Sequence, residues 1–328
     1  MELRTTFPIE PSEVKITYND YVMFIGSCFA SSIGSQMEAG HMPVLINPAG
    51  AVFNPVSVCN TLDTITSERE FLIDDLHFYD GTWLSFYHYT DFSSDNSSKV
   101  LEKINRRSRV AYDFLKRARF LFVTLGTARV YKLKKSGLIV SNCHKIPSEQ
   151  FELKILSVQE IVSIWSAQLD KLHSLFPGLK VVFTISPVRH WKDGAHGNQV
   201  SKSVLFIAVE ELLKHKMEPG YFPAYELVMD DLRDYRFYSD DMLHPSASAI
   251  DYIWDAFSGC YFERNTVNLW KEVARITKAF NHRINTDSEI KINDFATKIL
   301  KQISDIKVKI PKIDLSQEED YFLKMRKQ

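Results

Sequence analysis

The chain has 328 residues, 45% hydrophobic and 25% charged, enough for one large α/β domain with extensions or for two small domains. Its 40 basic and 41 acidic residues leave a formal charge of -1, so no global field points to a nucleic acid or an anionic membrane as partner. No apolar stretch approaches the roughly 18–20 residues of a membrane-spanning helix and the N-terminal stretch lacks the apolar core of a secretory signal, so the expected location is the cytoplasm.

Five short apolar runs recur between helical segments: "YVMFIG" (21–26), "PVLIN" (43–47), "FLFVTLG" (120–126), "LKVVFTIS" (179–186) and "YFPAYELV" (221–228). Continuous rather than alternating apolar runs suit strands buried on both faces of a parallel sheet. After the first run, Phe29, Ile33 and Met37 stand at i, i+4 and i+8 and predict a helix that Gly40 stops. Ser157 and Glu160 form a capping box for a helix that ends at Pro177-Gly178. Asn198 is the expected cap of the helix "QVSKSVLFIAVEELLKHK", and Ser246 that of "ASAIDYIWDAF". This alternation predicts an α/β fold, a three-layer α/β/α sandwich around a parallel sheet of about five strands.

Two insertions interrupt the rhythm. Residues 52–96 are expected to be loop-rich, with an aromatic cluster that holds Trp83, Ser85 and His88. Residues 128–143 read as a hairpin turning at Ser136-Gly137, with His144 just beyond it. The α/β domain is expected to span 1–262 and a C-terminal helical extension 263–328, with amphipathic helices at about 266–282 and 291–305 before a charged tail. Those helices either cover the domain or join copies in a homo-oligomer.

Ligands of open parallel sheets bind beyond the carboxyl ends of the strands. There the sequence places Gly26-Ser27-Cys28, Gly50 in "NPAGAVFNP", Gly126-Thr127, Arg189-His190 and the stretch Asp240 to Pro245. A cysteine at a helix N-terminus is expected to have a lowered pKa. The plainer alternative is that Ser27 caps the helix and Cys28 packs as a small hydrophobe. In "DDMLHPS", Asp241 and His244 are three apart in a turn that Pro245 keeps out of helix. That spacing lets the carboxylate take the imidazole Nδ1 proton while Nε2 faces the crevice, the base and orienter of a hydrolytic triad. Gly50 and Asn54 can offer donors to an oxyanion, as can Gly126 and Thr127, and Arg189 and His190 can bind substrate. The four cysteines, Cys28, Cys59, Cys143 and Cys260, form no CxxC pair, so neither a zinc site nor a disulfide frame is expected.

"IGSCFASSIG", "NPAGAVFNP", "LGTARVY", "NCHKIP", "SPVRH" and "DYRFYSDDMLHPS", in this order, resemble the GSCFA domain family, a bacterial group related to the SGNH (GDSL-type) hydrolases. The similarity runs over roughly residues 3–262. It implies an α/β/α fold with esterase or acyltransferase chemistry, in which Gly-Asp-Ser follows the first strand and Asp-x-x-His precedes the last helix. Placing Gly26 on the motif glycine puts Ser27 on the aspartate and Cys28 on the nucleophile, and Asp241 and His244 on the acid and the base. No clear Gly-x-Asn motif supplies the oxyanion-hole asparagine; "GTA" at 126–128 stands about there. The expected function is ester hydrolysis or acyl transfer on a small-molecule acyl ester or glycan, without metal or cofactor. The alternatives are Ser27 as nucleophile, or a non-catalytic module that keeps the crevice for binding.

Overall fold

The computed structural model describes residues 4–282 and 288–326; the first three residues of the N-terminal stretch and the last two of the charged tail lie outside the described residues. Two compact units divide the chain. One holds Met1–Pro8, Tyr21–Gly34 and Leu45–Ile253, the other Ile9–Asp20, Ser35–Val44 and Trp254–Gln328. The second unit takes in two earlier segments besides the C-terminal helices.

In chain order the strands are β1 (Tyr21–Gly26), β2 (Val44–Ile46), β3 (His77–Tyr79), β4 (Thr82–Leu84), β5 (Ala118–Leu125), β6 (Arg129–Leu133), β7 (Ile139–Val140), β8 (Phe151–Ile155), β9 (Lys180–Ile185) and β10 (Gly220–Tyr221). The helices are α1 (Cys28–Ala39), α2 (Pro55–Thr66), α3 (Ser97–Leu115), α4 (Val158–Leu175), α5 (Gly194–Leu212), the short turn α6 (Ala224–Glu226), α7 (Ala247–Tyr261), α8 (Arg264–Asn281), α9 (Glu289–Lys309) and α10 (Ser316–Arg326).

The central sheet has the order β10-β9-β5-β1-β2 and is parallel, with helices layered on it as an α/β/α fold. Its inner strands are buried almost throughout, as their unbroken apolar runs require. In register, Gly26 of β1 lies opposite Thr124 of β5, and Leu125 opposite Ile185 of β9, so the carboxyl ends of the three strands are level. Val123, Phe183, Trp165 and Leu205 share one core with the buried faces of α2, α4 and α5.

Gly26 is irreplaceable on steric grounds. Its φ is +136°, and a Cβ there would stand 2.1 Å from the Thr124 carbonyl oxygen. Gly26→Ala is expected to destabilise the fold by about 2–5 kcal/mol in denaturant unfolding, since strain at positive φ adds to overpacking against fixed backbone. A loss below about 0.5 kcal/mol, the scale of a neutral surface change, would contradict this account.

The fifth predicted strand is mostly helical. Only Gly220 and Tyr221 pair with β9; Pro223 then ends the ladder, and 224–231 coils into helical turns that bury Leu227 and Val228. An apolar run serves a helical turn as well as a strand, and here the proline decides. The Asn198 cap is also corrected. α5 begins at Gly194, and the Asn198 carboxamide oxygen inside it accepts the His190 N–H at 2.9 Å. The Ser157–Glu160 capping box forms as expected, and the Ser246 hydroxyl accepts the Ala249 N–H.

The first insertion is more ordered than a loop. Asn54 caps α2, with Pro55 at its first position, and Asp80-Gly81, both at positive φ, turn the β3–β4 hairpin. The second insertion turns at Gly137, φ +75°, and gains a third strand, β8, beside β6.

In the second unit, α1 ends because its last carbonyls find other donors. Trp270 donates to Gln36 O and Thr277 to Ala39 O, and His41 rather than Gly40 takes the left-handed conformation. Gly40 is needed for space, since a Cβ there would meet Trp270 at 2.1 Å. α8, α9 and α10 bury Val273, Ile276, Ile303, Ile306 and Phe322 against one another. Ile290 and Val308 of α9 stay exposed. The charged tail is thus itself a helix, α10, which anchors through Phe322.

Candidate active site

The turn after β1 is built tightly. Gly26 N–H donates to the Asn47 carboxamide oxygen at 2.8 Å, Ser27 N–H to Thr124 O at 3.1 Å and Val52 N–H to Gly26 O at 3.0 Å. Ser27 is buried, and its hydroxyl accepts the Phe29 N–H, so it acts as a helix cap. Cys28, half-buried, opens α1 with the N–H groups of Phe29 and of Cys28 itself facing its sulfur. Contrary to expectation, its thiol pKa is raised. Burial outweighs those two N–H groups and the nearby Lys202 ammonium, and the Asp241 carboxylate adds to the rise. The resting side chain at neutral pH is a thiol that needs a base.

That base arrangement sits in the loop before α7. Ser239 N–H donates to His244 O at 2.7 Å, Ser246 N–H to Phe237 O at 2.8 Å and Met242 N–H to Ser239 O at 2.8 Å, which closes 237–246 on itself. Inside this neck one Asp241 oxygen accepts the N–H groups of Leu243 and His244 at 2.9 and 3.0 Å, while the other meets His244 Nδ1 at 2.6 Å. The His244 N–H, then the Leu243 N–H and the imidazole, hold the Asp241 carboxyl down at about 2. A carboxylate on Nδ1 leaves the Nε2 lone pair for proton transfer. Earlier in the chain, the Asp231 carboxylate accepts the Arg4 guanidinium and the Tyr252 hydroxyl.

Lys202 is a site residue that the sequence reading missed. It is fully buried, and its Nζ donates to Gly126 O at 2.7 Å and Ser186 O at 2.5 Å, carbonyls at the carboxyl ends of β5 and β9. Burial lowers its pKa to about 7, Cys28 opposes the fall and Arg189 adds to it. The signal was present: Asn198, Ser201 and Lys202 occupy inward positions of α5 that continue as Leu205, Val209 and Leu212. Polar residues on an apolar stripe mark a buried polar cluster.

Several expected oxyanion donors are already committed. Gly50 N–H donates to Asn47 O at 2.8 Å within its turn. The Asn54 amide donates to the Ser57 hydroxyl at 2.8 Å, and its oxygen caps α2. Gly126 and Thr127 N–H groups both donate to Phe53 O, and the Thr127 hydroxyl pairs with Ser201 at 2.8 Å. Turns and caps consume the groups that sequence alone leaves open, and of the four Asn54 and Thr127 line a cleft wall. His190 differs. Burial, with the charges of Lys202 and His244 behind it, lowers its pKa to about 4, so it is a neutral imidazole at pH 7. It lies against Phe53, ring centroids 5.2 Å apart, and faces a cleft of about 290 Å³. Arg189 lines a larger cleft of about 720 Å³, with Asp241 and Leu243 on its wall. His88 and His144 are structural, bonded through Ser85 inside the insertion. Among the described residues no group of three or more His, Cys, Asp or Glu side chains has metal-binding geometry. No helix among them is long and apolar enough to cross a membrane.

The fold is a three-layer α/β/α sandwich, with Cys28 following β1 of its parallel sheet and the Asp241–His244 pair in the loop before α7. The chain belongs to the GSCFA family, whose model matches residues 21–257. Among solved structures it is similar to a chain described as "a putative platelet activating factor from Streptococcus pneumonia", with 12% identity, a TM-score of 0.37, and coverage of 73% of this chain and 84% of that one. No curated protein matches the sequence.

Proposed function

We propose that the protein is an ester hydrolase of the SGNH type, with Cys28 as nucleophile, His244 as base and Asp241 as its orienter. The observation that carries this reading is the Asp241–His244 contact at 2.6 Å, held in a closed loop whose carboxylate acts electrostatically on Cys28. His244 Nε2 takes the thiol proton as sulfur attacks the acyl carbon, then returns it to the departing alkoxide. Water, activated by the same nitrogen, releases the acid from the thioester and restores the thiol. An alcohol in place of water makes the reaction an acyl transfer. The backbone N–H of Cys28 and neutral His190 are the donors for the oxyanion, in the role that Gly50, Asn54, Gly126 and Thr127 do not fill.

The raised thiol pKa favours a second reading, a module that binds acyl compounds without turning them over. Alkylation by iodoacetamide does not separate the two, since both leave Cys28 protonated at rest. Its rate at Cys28 is expected to climb only above the ordinary thiol range. Turnover of 4-nitrophenyl acetate does separate them. The enzyme reading expects saturable turnover at pH 7–8 that His190→Ala lowers by about a hundredfold, the cost of one oxyanion donor. Acyl release no faster than from a free thiol would support the binding module.

A further inference from the structure

Arg189 is unusually placed for a guanidinium. Its Nε is buried without a hydrogen-bond partner, and among the described residues no carboxylate pairs with it. The carboxylates on the same cleft wall are otherwise engaged, Asp241 by His244 and Asp234 by the Arg236 N–H and side chain. The charge is felt nearby, since it pushes Lys202 down and opposes the rise of Tyr238 and Tyr225. The half-buried guanidinium lies over the Trp191 ring at 5.8 Å and has no carboxylate among the described residues, so with its Nε out of water beside an open cleft it can take an anion from outside. A planar guanidinium holds a carboxylate or phosphate through two parallel N–H bonds. The cleft, about 720 Å³, has room for a small molecule and offers flat apolar surface in Trp191, 55% exposed, and Tyr235, 79% exposed.

We propose that Arg189 anchors an anionic group, carboxylate or phosphate, of the ester substrate, with Trp191 and Tyr235 as apolar walls for the portion next to it. Calling the ligand a substrate rests on the hydrolase reading above; the anion site itself does not.

Calorimetric titration with phenyl phosphate, benzoate and neutral benzamide tests the site without any turnover. Wild type is expected to bind one of the anions at least about tenfold more tightly than benzamide, the scale of a charge-assisted pair, and Arg189→Gln to bring the ratio near one. Preference for phenyl phosphate assigns a phosphate substrate, and preference for benzoate a carboxylate. Arg189→Lys, which keeps the charge and loses the fork, is expected to weaken the preferred anion several-fold and serves if the glutamine variant fails to fold. Equal binding of all three by wild type, or an anion preference that survives in Arg189→Gln, overturns the inference. Turnover of the neutral ester is unaffected by that outcome, so the hydrolase reading stands or falls separately.

Discussion

Cys28→Ala is expected to lower turnover of 4-nitrophenyl acetate by about 10³-fold or more, while Ser27→Ala stays within about threefold of wild type. Both side chains follow the same glycine, yet they stand differently. The Ser27 hydroxyl accepts the Phe29 N–H and is buried, whereas Cys28 is half-buried and within electrostatic reach of Lys202 and Asp241. Ser27→Ala therefore removes a cap, worth about 1 kcal/mol of stability, and leaves the chemistry in place. Cys28→Ser keeps the geometry and retains part of the rate, because His244 can deprotonate an alcohol as it does a thiol whose pKa is raised. Steady-state kinetics of the three variants check this. Loss of turnover in Ser27→Ala with retention in Cys28→Ala reverses the assignment.

The second large effect is expected at Asp241. An asparagine keeps an oxygen for the Leu243 and His244 N–H groups and turns an NH₂ toward His244 Nδ1. The imidazole must then carry its proton on Nε2 and can no longer accept one there. Asp241→Asn is expected to lower kcat by about 10³-fold with the loop intact, and His244→Ala by as much or more. The pH dependence follows in sign. Because the folded carboxyl stands at about 2, below its ordinary 3.8, its contribution to loop stability is complete above about pH 4 and is lost as pH falls toward 2. Thermal melts of wild type and Asp241→Asn should therefore converge in acid. A melting difference that grows as pH falls would show that the carboxylate does not hold the loop.

Much of the candidate site's local geometry was legible because its pieces are local. Gly26-Ser27-Cys28 lies within one turn, and Asp241 and His244 within another, so spacing alone describes each. The four sheet strands read from apolar runs also stand, the three inner ones because burial on both faces leaves an unbroken pattern, while β2 at the edge is only half-buried. The fifth run failed because "YFPAYELV" carries a proline after its second residue, so that only Tyr221 of the run pairs with β9 before a helical turn begins. The hairpin at Asp80-Gly81 had a recognisable turn pair and was masked by its aromatic setting.

What sequence did not disclose is where donors are spent. Whether Gly50 N–H or the Asn54 amide is available depends on Asn47 O and the Ser57 hydroxyl, partners fixed only by the folded turn. The lowered thiol pKa expected from the helix N-terminus failed for the same kind of reason: desolvation is a property of the packed site. Lys202 shows the reverse case. Its place on an apolar stripe was visible, but its carbonyl partners, Gly126 and Ser186, come from strands 76 and 16 residues away.

The most direct test of the central claim is the site of acylation. The protein is mixed with 4-nitrophenyl acetate, quenched in acid within the first turnovers and mapped by peptide mass spectrometry. One acetyl group is expected on Cys28, removed by neutral hydroxylamine as a thioester is, and absent from Cys28→Ala. An acetyl group on Ser27, or undiminished turnover with Cys28 unmodified, would contradict that claim.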